Sequence, residues 1–251
     1  MAQECGLPFI VLGGGSNTVF TDGVVDAMVV RIAANVVVVD GTTVTAEAGA
    51  YLGSLVADLA KRGLDLSALT GIPGSLGGAV VGNAGQGMGG IWIDRYVRSV
   101  TAYCDGVWME LPAAECGFGY RESRFKHAVG PVVIWNVVLD VPHGEPAAIQ
   151  AEIERLIQKR IETQPHLKTA GSCFKSLPDG TPAWKLIDAA GLRGLTVGGI
   201  QVSEKHANFL INTGNGTFAD ALAVVERLRR DVPNLPDVEM RFINGDGTLA
   251  A

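Results

Sequence analysis

Two glycine-dense stretches constrain this chain more than any other feature. Leu12-Gly13-Gly14-Gly15-Ser16-Asn17 follows the apolar run Pro8–Leu12, and Gly71-Ile72-Pro73-Gly74-Ser75-Leu76-Gly77-Gly78-Ala79 continues through Gly82-Asn83-Ala84-Gly85 toward Gly90. Glycine reaches backbone conformations closed to other residues and carries no side chain, so such runs belong to turns or close approaches rather than to the interior of a helix or strand. Successive glycines also let backbone N–H groups turn toward an anion. The first loop is not a Walker A loop, because no Gly-Lys-Ser/Thr follows, and not GxGxxG opening a helix. An ordinary glycine turn explains it equally well on the loop alone. The second is long and poor in periodicity, which in a compact domain favours a functional loop with about one helical turn.

The remaining composition limits the partners. Of 251 residues, 47% are apolar and 18% charged, enough for a packed core and too apolar for a disordered chain. The net charge of -6 argues against nucleic acid, whose phosphates require a basic face, but leaves room for one anionic small substrate. Cys5, Cys104, Cys116 and Cys173 form no CxxC pair and no metal spacing, so no metal is expected and the thiols are read as reduced and mostly buried. No apolar run reaches membrane-spanning length and no signal-type segment opens the chain. A cytoplasmic monomer with no nucleic-acid or membrane partner is expected.

Periodicity supplies the elements. Met1–Gly6 reads as the last turn of a helix stopped by Gly6. Pro8–Leu12 and Ala27–Ile32 read as strands. Val36–Val39 and Thr42–Ala46 form a hairpin across Asp40-Gly41, and Val97–Tyr103 and Val107–Leu111 another across Asp105-Gly106. Leu52, Leu55, Val56 and Leu59 predict a helix ended by Gly63. Pro131–Val141 is a strand of partial alternation. After His143-Gly144-Glu145-Pro146, a domain junction, comes an amphipathic helix with Ile149, Ile153, Leu156, Ile157 and Ile161 on one face. Gly199–Val202 and Asn208–Asn212 are strands, Phe218–Arg229 a helix with Thr217 as N-cap and Leu222, Val225 and Leu228 inward, and Pro236–Gly245 brackets a final strand.

Three polar stretches carry candidate chemistry. Thr169-Ala170-Gly171-Ser172-Cys173-Phe174-Lys175 puts a serine beside a glycine after a Pro165-containing loop, where its hydroxyl can face a ligand. Gly119-Tyr120-Arg121-Glu122-Ser123-Arg124-Phe125-Lys126 supplies guanidinium groups, and Val238-Glu239-Met240-Arg241 a carboxylate. Serine, arginine and glutamate are the parts needed to add a proton to a stabilised carbanion. Each has a plainer reading: Ser172 as a turn residue bonding its own backbone, Arg121 as a surface arginine, Glu239 as an ion-pair partner of Arg241, and His206 as a satisfied structural histidine.

These motifs together resemble the UDP-N-acetylenolpyruvoylglucosamine reductase family, flavoenzymes of bacterial peptidoglycan synthesis. The resemblance runs from about Gly6 to about Gly245 and rests on both glycine loops, Gly119-Tyr120-Arg121, Gly171–Lys175, Val202-Ser203-Glu204-Lys205-His206-Ala207-Asn208-Phe209 and Glu239-Met240-Arg241-Phe242. It implies an α+β fold: an FAD-binding domain of the vanillyl-alcohol-oxidase (PCMH) type in two subdomains over 1–145, with 236–251 returning to it, and a smaller α+β substrate-binding domain over 147–235. FAD would contact Gly13, Gly14, Gly15, Ser16 and Asn17 at its pyrophosphate, and Gly71, Ile72, Pro73, Gly74, Ser75, Gly77 and Gly78 near its ring.

The resemblance also implies a reaction. NADPH reduces FAD, and a hydride then reaches the methylene carbon of UDP-N-acetylglucosamine enolpyruvate, leaving a carbanion beside a carboxylate. Ser172 is the implied proton donor, a role contributing roughly a hundred- to ten-thousand-fold. Arg121 would hold the carboxylate through two parallel N–H bonds, Arg124 and Lys126 being weaker candidates, and Glu239 would hydrogen-bond the intermediate or, with its pKa raised by burial, act as an acid. Tyr120, Lys175, Lys205 and His206 would contact the substrate. The family has residues before this chain's Met1, a strand pair and a helix completing the FAD subdomain, so the chain is expected to be N-terminally short. It lacks the inserted tyrosine-bearing segment of one subgroup and matches the shorter one. Two rivals stand beside this reading. Another flavin oxidoreductase of the same fold would carry a covalent flavin link from His or Cys near the glycine loops, whereas the first histidine is His127. A UDP-sugar-binding protein that has lost FAD would be colourless.

Overall fold

In a computed structural model the described residues are 6–86, 90–104, 106–128 and 130–250. The expected last helical turn at Met1–Gly6 lies outside them except for Gly6. The chain falls into two compact units: Phe9–Gly14 with Val29–Lys159, and the described residues of Met1–Pro8, Gly15–Met28 and Arg160–Ala251.

The first unit is built on a five-stranded antiparallel sheet. The order is β4 (Val37–Asp40), β5 (Thr43–Glu47), β8 (Val133–Asp140), β6 (Val97–Cys104), β7 (Val107–Pro112). Both expected hairpins are present, with Gly41 at φ +56° and Gly106 at φ +86° in their turns, the left-handed region where glycine has no steric penalty. The partial alternation of Pro131–Val141 has a physical cause. The pairing of β6 with β8 shifts register twice, between Val97 and Ser99 and between Thr101 and Ala102. The second shift leaves Trp135 as an extra residue in β8, which moves the inward phase of that strand there. One sheet face buries Val44, Ala46, Val100, Ala102, Ile134, Val137 and Leu139 against helix α1 (Leu52–Ala60) and the short helix α2 (Leu76–Val81). Gly63, at φ +69°, ends the first of these turns as expected.

Helix α3 (Pro146–Thr163) begins where the junction was placed, but it packs Ile149 and Ile153 into the core of the first unit. Ile157 and Ile161, expected on the same face, are exposed. The apolar stripe is longer in sequence than the surface it covers.

The second unit has its own core, with Phe174, Ile187, Val202, Val224, Val225, Leu228 and Phe242 at its centre. It holds β9 (Thr196–Val197), β10 (Ile200–Val202) and β11 (Leu210–Asn212) in antiparallel order, helix α4 (Ala183–Ala189) and helix α5 (Phe218–Asp231). Thr217 caps α5 in a full capping box with Asp220, as the sequence suggested for Thr217. Leu222 is only half-buried, and Ala221 and Val224 join Val225 and Leu228 inward. The final strand is shorter than Pro236–Gly245. Only β12 (Arg241–Ile243) is regular, paired in parallel with β2 (Thr18–Phe20).

Candidate functional site

In the first unit the glycine loops lie directly on each other. A Cβ at Gly13 would stand 2.2 Å from the Ser75 hydroxyl oxygen, and one at Gly14 would stand 2.7 Å from the Gly74 Cα. A Cβ at Gly77 would meet that of Ala48 at 2.8 Å. Gly14 is therefore required by backbone packing on Gly74, and Gly13 and Gly77 by the side chains of Ser75 and Ala48, a demand the sequence alone does not separate from ligand approach. Gly71 and Gly74 take φ +73° and +104°. The second loop is pinned to the strand-to-helix turn before it. Leu52 N donates to Gly74 O, Leu76 N to Ala50 O and Gly77 N to Ala48 O. Ser75 accepts from Gly78 N as the cap of α2. Ile72 packs against the core, while Pro73 and Gly78 are exposed. Thr70, immediately before this loop, is buried, and its hydroxyl has no hydrogen-bond partner among the described residues.

The Arg121 turn hangs from this loop region. Gly119 and Glu122 exchange backbone hydrogen bonds at 3.1 Å each, and Arg121 between them has φ +56°, a conformation costing a non-glycine residue about 1–2 kcal/mol. Asn83, fully buried, donates to Gly119 O at 2.9 Å and to Asp94 at 3.2 Å. Ser123 donates to Val81 O at 2.7 Å. Lys126 donates to the Arg121 carbonyl and Arg124 to Glu115 O. Its guanidinium sits 5.8 Å from the Tyr120 ring centroid, and Tyr120 packs on Trp92 at 5.7 Å.

In the second unit the Ser172 segment runs between two other strips. On one side Ser172 bridges Phe209, and Cys173 N donates to Asn208 O at 2.8 Å. On the other, Phe174 bridges Val238 and Lys175 N donates to Asp237 O. The Cys173 carbonyl accepts from both Glu239 N at 2.8 Å and Met240 N at 3.5 Å. Two residues facing one is a bulge pattern, which re-aims side chains and interrupts the strand before β12. Gly15, Ser16 and Asn17 of the first loop belong to this unit, and Gly15 takes φ +69°. Asn17 Nδ2 donates to Glu239 O and Asn17 O accepts from Arg241 N, both at 3.0 Å. The backbone of this unit thus brings Asn17, Ser172 and Glu239 together from three remote stretches.

The other expected contact residues lie in the same unit. Lys205 extends its ammonium to the Ile161 carbonyl at the end of α3, a favourable place for a cation. His206 is half-buried, with Phe209 at 4.8 Å and Trp184 at 6.2 Å. Its Nδ1 accepts from Asn208 N. Burial, with a smaller contribution from the nearby Arg193 charge, lowers its pKa below the usual 6.5, so the ring is neutral with Nε2 as its donor. Burial raises both the Cys116 thiol, to about 11, and that of Cys173, so neither is a thiolate. A cavity of about 300 Å³ lies nearby, reaching Ala170, Asn212, Phe218, Met240 and Phe242, but neither Ser172 nor Glu239 lines it.

This arrangement has known counterparts. Residues 163–242 match the UDP-N-acetylenolpyruvoylglucosamine reductase C-terminal domain and residues 1–108 match an FAD binding domain. The chain is 41% identical over 247 residues to the UDP-N-acetylenolpyruvoylglucosamine reductase of Erythrobacter litoralis, spanning 94% of this chain and 73% of that protein. The chain belongs to the UDP-N-acetylenolpyruvoylglucosamine reductase family. The family's enzyme from Novosphingobium aromaticivorans is 40% identical, with 94% and 80% of the two chains covered. The crystal structure of the Thermus caldophilus reductase superposes with a TM-score of 0.81 at 33% identity, covering 94% of this chain and 85% of that one. The expected α+β flavoprotein fold of the family is borne out by these matches.

The residues present fit the family's cofactor. Gly13 and Gly14 of the first loop lie on Ser75 and Gly74 of the second, and a buried hydroxyl at Thr70, without a hydrogen-bond partner among the described residues, precedes the second loop. A flat, anionic, hydrogen-bonding group suits both features.

Proposed function

We propose that Ser172 is the proton donor of a flavin-dependent reductase, with Glu239 and Arg121 stabilising the charge that forms. The protein is an NADPH- and FAD-dependent reductase of UDP-N-acetylglucosamine enolpyruvate, yielding UDP-N-acetylmuramate for peptidoglycan synthesis. The single observation that supports pairing Ser172 with Glu239 is the arrangement around Cys173, with Ser172 adjoining it in sequence and Glu239 N bonded to its carbonyl.

The chemistry FAD supplies when bound is hydride transfer, from NADPH to the methylene carbon of the enolpyruvyl ether. The neighbouring carbon then carries negative charge shared with its carboxylate. Ser172 Oγ gives its proton to that carbon. Serine is a weak acid, but an enolate is a strong base and needs only a positioned hydroxyl. Glu239, as the protonated carboxyl, donates a hydrogen bond to the enolate oxygen. Arg121 is assigned to the substrate carboxylate, where charge increases as the reaction proceeds and where a preorganised donor is worth about 3–4 kcal/mol. His206, as a neutral Nε2–H donor, and Tyr120 and Lys175 are assigned to substrate contact. Lys205 is assigned there too, its ammonium standing at the Ile161 carbonyl. Gly13–Asn17 and Gly71–Gly78 are assigned to FAD. No described helix is long and apolar enough to cross a membrane, and we place the enzyme in the cytoplasm as a monomer.

The purified chain, loaded with FAD, is expected to absorb between about 350 and 500 nm and to oxidise NADPH only when the enolpyruvyl substrate is added. A colourless protein that still binds UDP-sugars overturns the reading in favour of a binding protein.

A further inference from the structure

Asn208 lies in the Val202–Phe209 stretch, and neither its sequence context nor the family match assigns it a role. Its contacts are unusual for a buried polar side chain. It is 6% exposed, and its amide spends both ends on one residue of the Ser172 segment: Oδ1 accepts from Phe174 N at 2.9 Å and Nδ2 donates to Phe174 O at 2.8 Å. Its own carbonyl accepts from Cys173 N at 2.8 Å. Three hydrogen bonds from one asparagine therefore fix the two residues after Ser172. The side chain acts as a neighbouring strand would, satisfying a donor and an acceptor that burial would otherwise leave costly.

The chain of fixation continues. Ser172 is itself bridged to Phe209, the residue after Asn208. The far side of Cys173 is held by Glu239 N, and Glu239 is held by Asn17. Phe174 is 1% exposed and seats the segment in the core. We infer that Asn208 is a positioning residue for Ser172: it locks residues 173–174 so that the preceding hydroxyl is held at a fixed place. This inference rests on the assignment of Ser172 as proton donor. A misplacement of about 1 Å can cost about a hundredfold in rate, so the account expects a loss of about ten- to a hundredfold.

The test uses the FAD-loaded enzyme and follows the two half-reactions separately by stopped flow. Asn208→Ala is expected to leave FAD reduction by NADPH within about twofold and to slow reoxidation by the enolpyruvyl substrate ten- to a hundredfold, as the account above requires. In a Ser172→Ala background the same substitution is expected to add less than about twofold, because its effect passes through the missing hydroxyl. Equal loss in both half-reactions, or a full additional loss in the double variant, overturns the inference. If Asn208→Ala does not take up FAD, Asn208→Asp, which keeps the acceptor for Phe174 N, replaces it under the same expectations. Failure of both to take up FAD marks a folding residue and also overturns it. If Ser172→Ala itself leaves reoxidation unchanged, the proton-donor assignment fails. If it slows reoxidation and Asn208→Ala does not, only the positioning role fails.

Discussion

The backbone N–H of Glu239 donates to the carbonyl of Cys173 at 2.8 Å, and this bond ties the strip that carries Glu239 to the segment that carries Ser172. Glu239 contributes only main-chain atoms to this bond and to the one its carbonyl accepts from Asn17 Nδ2, so both survive a change of the carboxyl group. Glu239→Gln is expected to slow substrate reduction about a hundredfold, the lower range for a group acting on the charged centre. The melting temperature is expected to move by less than about 2 °C. Steady-state kinetics beside thermal unfolding measures both. A large drop in stability with proportionate loss of activity contradicts the assignment.

Arg121 holds a left-handed backbone at φ +56° that glycine adopts without strain. Arg121→Gly therefore gains back about 1 kcal/mol of strain, offset by the greater freedom of the unfolded chain and the lost contact with Tyr120. Its stability is expected to stay within about 1 kcal/mol of the parent while kcat/KM falls by at least about a hundredfold. Denaturant titration and kinetics on the same preparation decide. Strain retained at a position that gains nothing in stability is the mark of function.

Gly14 has no room for a side chain: an added Cβ meets the Gly74 Cα at 2.7 Å. Gly14→Ala is expected to cost about 1–3 kcal/mol, as overpacking does, and to weaken retention of FAD. Gly23, whose added Cβ meets nothing within 4 Å, serves as the control. Gly23→Ala is expected to be neutral within about 0.5 kcal/mol. Equal behaviour of the two variants contradicts the packing account.

His206 makes stability pH-dependent. Its folded pKa lies below the usual 6.5, so the unfolded chain takes up the proton first as pH falls. The contribution is complete above about 6.5 and is lost as pH drops from there through the folded value. Protonation of Nδ1 would also remove the acceptor used by Asn208 N. Between pH 7 and 5.5 the melting temperature of the parent is expected to fall more steeply than that of His206→Gln, which cannot take up a proton. Parallel slopes contradict this.

Much of this was legible in the residues themselves. The Asp-Gly hairpins, the Leu52–Leu59 helix and the Thr217 cap follow from local rules of turn, period and capping, and the structure has them all. What local rules could not supply was the extent of partner surfaces. Ile157 and Ile161 continue a helical stripe that the first core does not reach. Glu239 stands outside regular strand because Cys173 O faces two residues there, a pairing fixed by a segment many residues away. Turn and ligand readings of Gly13 and Gly14 were equally open from the loop alone, and the room that Gly74 and Ser75 deny a side chain there could not be seen in sequence. Asn208 could have been suspected from an asparagine inside an apolar strand run, a polar group that must find partners if buried.

The central claim is that the Ser172 hydroxyl delivers the proton after hydride transfer, and stopped-flow absorbance of Ser172→Ala tests it most directly. The account predicts FAD reduction by NADPH at the parent rate, within about twofold, and reoxidation by UDP-N-acetylglucosamine enolpyruvate slowed by about a hundredfold or more. Reoxidation at the parent rate, or equal slowing of both steps, contradicts it.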